Sequence, residues 1–175
     1  MRLLTIKKSI SIRADALEVF DVITDFAHYG RWNPWVIEAH GECRQGSTVR
    51  AVRQWLGIKF AGLHEITEVS FPEKMRWRGN SFYNYLVQVE RERHVFPGAD
   101  GVTLYTVKVT FSGPLAHLGF LVGRRGINAG VKAETMALKQ YCEQQSSSQN
   151  KNNAWPKRIR SVDMSGAHEV NLLSV

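Results

Sequence analysis

The spacing of apolar residues changes period along this chain. In TIKKSISIRA (5–14), Ile6, Ile10 and Ile12 share one parity, the signature of a strand with one buried face. The next stretch, ADALEVFDVITDF, sets Leu17, Phe20, Val22 and Ile23 at helical spacing behind Asp15, a residue suited to the N-cap. A second short helix, FAHYGRW, runs into Pro34, which ends it at Asn33. Six strands then follow, at roughly 36–43, 47–56, 59–70, 74–80, 85–96 and 102–112. Their breaks, CRQGS, LGIK, SFPEK and FPGADG, carry the Gly and Pro of tight turns. Strands this close, with no helix between them, imply an antiparallel sheet.

Pro114 is placed for the first turn of a helix that continues to about Glu143. Leu115, Leu118, Leu121, Val122, Ile127, Val131, Leu138 and Tyr141 fall near one face. Gly119, Gly123, Gly126 and Gly130 interrupt it, each costing roughly 1 kcal/mol against alanine. They imply a kink, or a close approach of backbone to strand or ligand. Packing one long helix on a curved antiparallel sheet buries both apolar faces, so the expected class is α+β. We expect one domain over 1–143. The remainder, 144–175, is rich in Ser, Asn, Gln and Lys and lacks periodicity, and reads as a flexible tail.

Composition narrows the function classes. A hydrophobic fraction of 43% and a charged fraction of 22% are ordinary for a globular protein. No segment reaches the ~20 apolar residues of a membrane span, and MRLLTIKKSISIRA lacks the apolar centre of a signal peptide, so a cytoplasmic location is expected. Cys43 and Cys142 are far apart and stand in no CxxC pattern, which argues against a disulfide framework or a metal site. The net charge of +7 raises nucleic acid as a partner, but the basic residues are scattered and no RNA- or DNA-binding signature accompanies them. Neither a nucleic-acid partner nor a cofactor is expected. Walker A, GxGxxG, HExxH and GxSxG patterns are lacking.

The segment VFDVITDFAHYGRWNPWVIEAHGECRQGSTVRA, with Tyr29, Trp32, Asn33, Pro34, Trp35, Gly41 and Gly46, resembles the opening of the SRPBCC superfamily. Its members include START-like, birch-pollen-allergen-like and polyketide cyclase/dehydrase-type proteins. MRWRG, DGVTLYTVKVTFSGPL and ALKQYCE fit the same pattern, and the match spans about residues 3–143. The resemblance implies a helix-grip fold: about seven curved antiparallel strands around a long C-terminal helix, with two short helices after strand 1. It also implies a cavity between sheet and helix. One such scaffold serves lipid transfer, hormone binding and polyketide cyclisation, so function must be argued from the site.

Period-two alternation nominates cavity walls. Trp77 shares a face with Met75 and Gly79, and Tyr105 and Val107 share one with Val109 and Phe111. For Arg53 and Trp55 the inward side is open from parity alone. Trp35 is expected at the entrance and Trp32 as a plug between helices and sheet. The expected ligand-binding set is Trp35, Trp55, Trp77, Arg91, Tyr105, Val107, Leu118 and Val122. In VQVERERHVF, Arg91 and Arg93 have the parity of Val87, Val89 and Val95. Either they point inward and need a counter-ion such as Glu65, Glu90 or a ligand acid, or the strand is a solvated Arg–Glu ladder. Related sequences tend to carry His and an apolar residue there, so the ligand of a relative does not transfer directly. Candidates for proton transfer are His64, Arg91 and Glu90. Three readings follow. The chain encloses a hydrophobic small molecule (lipid, polyketide or isoprenoid-like), catalyses a cyclase/dehydrase-type reaction in the same cavity, or acts as a basic module at a membrane surface or protein partner.

Overall fold

The computed structural model describes residues 4–55, 57–79 and 85–153. Strand β1 (Leu4–Ile12) leads into α1 (Ala16–Thr24) and a 3-10 helix (Phe26–Arg31). Strands β2 (Val36–His40), β3 (Thr48–Trp55), β4 (Ile58–Ser70), β5 (Lys74–Gly79), β6 (Gln88–Pro97) and β7 (Thr103–Ser112) follow, and α2 (Ala116–Asn153) closes the chain. The strands form one antiparallel sheet in the order β1-β7-β6-β5-β4-β3-β2. Every neighbour except the β1–β7 pair is a sequence neighbour, as short turns require.

Asp15 caps α1 as expected, its Oδ1 accepting from the Leu17 N–H at 2.8 Å. The buried stripe of α1 is Ala16, Val19, Phe20 and Ile23, whereas Leu17 is 48% exposed. The small Ala16 and β-branched Val19, not Leu17, meet the core. Asn33 fixes the turn before β2, its Oδ1 accepting from the backbone N–H groups of Trp35 and Val36 at 3.0 and 2.8 Å. This turn separates two indoles: Trp32 packs into the core edge-on to Tyr29, and Trp35 moves toward α2.

Helix α2 departs from the expectation in two ways. It runs to Asn153, so the first ten residues of the expected tail are helical, with Ser147 and Ser148 hydroxyls donating to the carbonyls four residues back. Residues 154–175, including Trp155, lie outside the described residues. The second departure is rotational. Leu115, Leu118, Leu121 and Val122, placed inward from sequence, are 44%, 58%, 66% and 77% exposed. The inward face keeps the expected Ile127, Val131 and Leu138, and its N-terminal part is Ala116, Gly119 and Phe120 in place of those four, with Gly130 and Glu134 on the same side. Glycine explains the error, since the leucines outweigh it in any apolar count yet the backbone must come close. A Cβ on Gly119 would stand 2.6 Å from a Val87 methyl, and one on Gly130 2.4 Å from the Trp35 ring. Among the described residues no helix is long and apolar enough to cross a membrane.

The glycines make opposite predictions. Gly130→Ala drives a methyl into the Trp35 indole and is expected to lower stability by about 1–3 kcal/mol in urea unfolding, despite its better helix propensity. Gly123→Ala meets only the Ile127 Cδ1, at 3.5 Å, and is expected to raise stability by up to ~1 kcal/mol.

Candidate functional site

Strand β6 sorts its charges by face. Glu90 and Glu92 point to the convex side, where Arg76 meets them at 3.6 and 3.0 Å and Lys74 pairs with Glu68 at 2.8 Å. Arg78 pairs with Glu65 on the same side, at 2.9 Å. Arg91 and Arg93 point the other way and are 5% and 0% exposed. Both alternatives for this strand are therefore half realised: a charged ladder outside, and two buried guanidiniums inside.

Their counter-ion is neither Glu65 nor Glu90, but Glu134 on α2, which is fully buried. Arg93 Nη2 donates to Glu134 Oε1 at 3.1 Å and Nη1 to the Tyr29 hydroxyl at 3.0 Å. The Arg93 guanidinium lies 4.5 Å from the Trp77 ring centroid. Arg91 Nη2 stands 2.6 Å from Glu134 Oε2, an ion pair by distance but off the line of a good hydrogen bond. Burial alone would raise the Glu134 carboxyl, but the two guanidiniums outweigh it and hold the group below the usual range. Beneath this cluster the core is packed. Tyr105 and Val107 are both fully buried, and burial pushes the Tyr105 hydroxyl up to about 12.

Above the cluster the grip is open, with a cavity of about 460 Å³. Its aromatic walls are Trp35 and Trp77, its aliphatic walls Val89, Val109 and Ile127. Its polar side is Arg53, His64 and Arg91. Arg53 Nη2 lies 2.6 Å from His64 Nε2, and His64 stacks on Trp77 at 5.1 Å. Burial, followed by the field of Arg53, Arg91 and Arg93, pushes His64 down to about 3. His64 is thus a neutral imidazole whose Nε2 accepts from Arg53. Arg53 itself is lowered to about 10, by burial first and then by repulsion from Arg91. The guanidiniums of Arg91 and Arg53 lie 5.0 and 5.9 Å from the centroid of the Trp35 ring.

Of the expected cavity residues, Trp35, Trp77 and Arg91 line this space, joined by the proton-transfer candidate His64. Tyr105 and Val107 do not line it, because both are fully buried in the packed core. Leu118 and Val122 do not either, since the glycine face of α2 turns them to solvent. Glu90 is excluded by strand parity, being bound to Arg76 on the convex face. The Trp55 side chain lies outside the described residues. Sequence reasoning missed Glu134, although its spacing of three from Val131 and four from Leu138 set an acid on the one truly buried stripe.

A seven-stranded antiparallel sheet gripping a long C-terminal helix is the helix-grip fold of START-like and birch-pollen-allergen-like proteins. The chain belongs to the polyketide cyclase/dehydrase and lipid transport family, whose model matches residues 4–143. Among solved structures it is similar to a START superfamily protein from Mycobacterium smegmatis (17% identity, 81% of this chain and 98% of that one, TM-score 0.63). It is also similar to norcoclaurine synthase from Thalictrum flavum (11% identity, 83% and 99%, TM-score 0.63). A third likeness is to the di-domain aromatase/cyclase StfQ of the steffimycin biosynthetic pathway (11% identity, 83% of this chain and 52% of that one, TM-score 0.67). At these identities the likeness is one of fold. A search of curated proteins returns no match.

Removing the charge of Glu134 leaves two guanidiniums buried against each other. Glu134→Gln is expected to cost about 3–5 kcal/mol in urea unfolding, and Glu90→Gln on the convex face no more than ~1 kcal/mol. The depressed His64 also sets a sign for pH. Above pH ~6.5 neither the folded nor the unfolded state protonates it, and its contribution to stability is complete. As pH falls from there toward the folded value of about 3, only the unfolded chain takes up the proton, and stability is lost. The slope from this group is at most about 1.4 kcal/mol per pH unit. Urea midpoints measured from pH 7 to 5 should fall less steeply in His64→Gln than in the unaltered protein.

Proposed function

We propose that this chain is a cytoplasmic protein that binds a hydrophobic small molecule, of lipid, polyketide or isoprenoid-like kind, between the concave sheet face and α2. The observation that carries the reading is the cavity of about 460 Å³ walled by Trp35, Trp77, Val89, Val109 and Ile127. Its size and its mix of broad apolar walls with a few polar groups are those of a small-molecule site. Membership of a family described by cyclisation, dehydration and lipid transport supports the same substrate class.

The alternative is a cyclase/dehydrase-type reaction in this cavity, the activity class of the aromatase/cyclase relative. The polar side of the cavity favours binding over proton transfer. His64, depressed to about 3, is a weak base whose Nε2 is occupied by Arg53. Glu134 has each oxygen against a guanidinium, and Glu90 is on the far side of the sheet. Efficient proton transfer asks for a group that titrates near the working pH.

Nile red, a neutral apolar dye, tests the binding reading. The unaltered protein should give saturable one-site fluorescence enhancement. Ile127→Trp, which fills the cavity from the helix side, should weaken it at least tenfold while keeping its circular dichroism and cooperative melting. No saturable enhancement, or equal affinity in the folded Ile127→Trp variant, would sink the proposal.

A further inference from the structure

The charges around the cavity do not balance. Three guanidiniums, Arg53, Arg91 and Arg93, approach one another, and the one carboxylate that meets them among the described residues is Glu134. Its two oxygens are divided between Arg93 and Arg91. The other acids of this region, Glu65, Glu68, Glu90 and Glu92, are on the convex face with Lys74, Arg76 and Arg78. Arg53, Arg91, Arg93 and Glu134 together therefore carry two surplus positive charges.

Arg91 also has unused donors. It is 95% buried, by its 5% exposure, and lines the cavity, yet its Nε and Nη1 meet no acceptor among the described residues. A buried charged donor without an acceptor is costly. Arg53 stands on the same wall, held by His64 on one side and by the Trp35 ring beneath, so both guanidiniums are pre-positioned rather than free to swing to water. Two pre-positioned guanidiniums beside an apolar space suit a planar anion that accepts in pairs.

Resting on the binding reading above, we infer that the ligand is an amphipathic acid whose carboxylate sits against Arg91 and Arg53 while its apolar body lies between Trp35, Trp77 and Ile127. Arg93 has a different task. Its Nη1 and Nη2 donate to Tyr29 and Glu134 and it does not line the cavity, so it holds the carboxylate of the protein, leaving Arg91 and Arg53 for the carboxylate of the ligand.

The test is competition against Nile red at pH 7.5 by 1-naphthylacetic acid and by 1-naphthylacetamide, which share a shape and differ in charge. In the unaltered protein the acid should displace the dye at least tenfold more effectively than the amide. Arg53→Gln, which leaves the Glu134 pairs intact, should bring the ratio of acid to amide displacement, measured within that variant against its own Nile red affinity, close to one. Arg91→Gln should do the same, with Arg93 still neutralising Glu134. Equal displacement by acid and amide, displacement by neither while Nile red binds, or a preference that survives in both folded variants would overturn the headgroup assignment and leave hydrophobic binding standing. Failure of Nile red to bind the unaltered protein would bring down both.

Discussion

One buried carboxylate, Glu134, holds the sheet and helix of this protein in register. Through its two oxygens it ties Arg91 and Arg93 on β6 to the centre of α2, and Arg93 continues the connection to Tyr29 in the 3-10 helix. Such a cluster is not a cheap source of stability. Three charges lose their water, and an apolar replacement of the same shape would often be as stable. Its strength is directional. Apolar surfaces can slide along one another, but a carboxylate shared by two guanidiniums has few alternative positions. The long helix is thereby seated at one height over the sheet, with Gly130 against Trp35 and Gly119 against Val87.

That seating divides the interior in two. Toward β1 and β7 the space between sheet and helix is filled by Tyr105, Val107 and the charged cluster. Toward β3 and β4 it is open, since Gly62 and Gly79 contribute no side chain to the wall and the glycine face of α2 contributes little. The cavity is thus a consequence of where bulk is absent, bounded at its polar end by charges whose first duty is structural. Arg91, which helps fasten the helix, also lines the empty side, and its buried donors Nε and Nη1 meet no acceptor among the described residues. Fastening and recognition are consequently coupled, and a ligand acid would complete a charge set that the protein leaves positive.

Much of the fold is legible in local pattern. The strand turns carry glycine and proline, Asp15 caps α1, and Asn33 with Pro34 terminates the 3-10 helix, because each of these depends on the nearest few residues. Strand parity also separates Arg91 and Arg93 from Glu90 and Glu92 without any tertiary information. The candidate site was less legible. Leu118 and Val122 mark an apolar helix face that points to water, while glycines mark the buried one, and no hydropathy count rewards a residue for being absent. Tyr105 and Val107 have the inward parity expected of cavity walls, but parity cannot tell a wall from a filled core.

From the chain alone came the element order, the antiparallel hairpins, the two faces of each strand and the resemblance of Tyr29–Trp35 and its flanks to a helix-grip opening. These depend on steric preferences and on a period of two or 3.6, which operate over a few residues. Tertiary structure alone decided that Glu134 neutralises Arg91 and Arg93, that His64 is a neutral acceptor for Arg53, and which part of the grip stays empty. Each of those depends on groups separated by tens of residues, whose charges and volumes act on one another only after the helix has closed over the sheet.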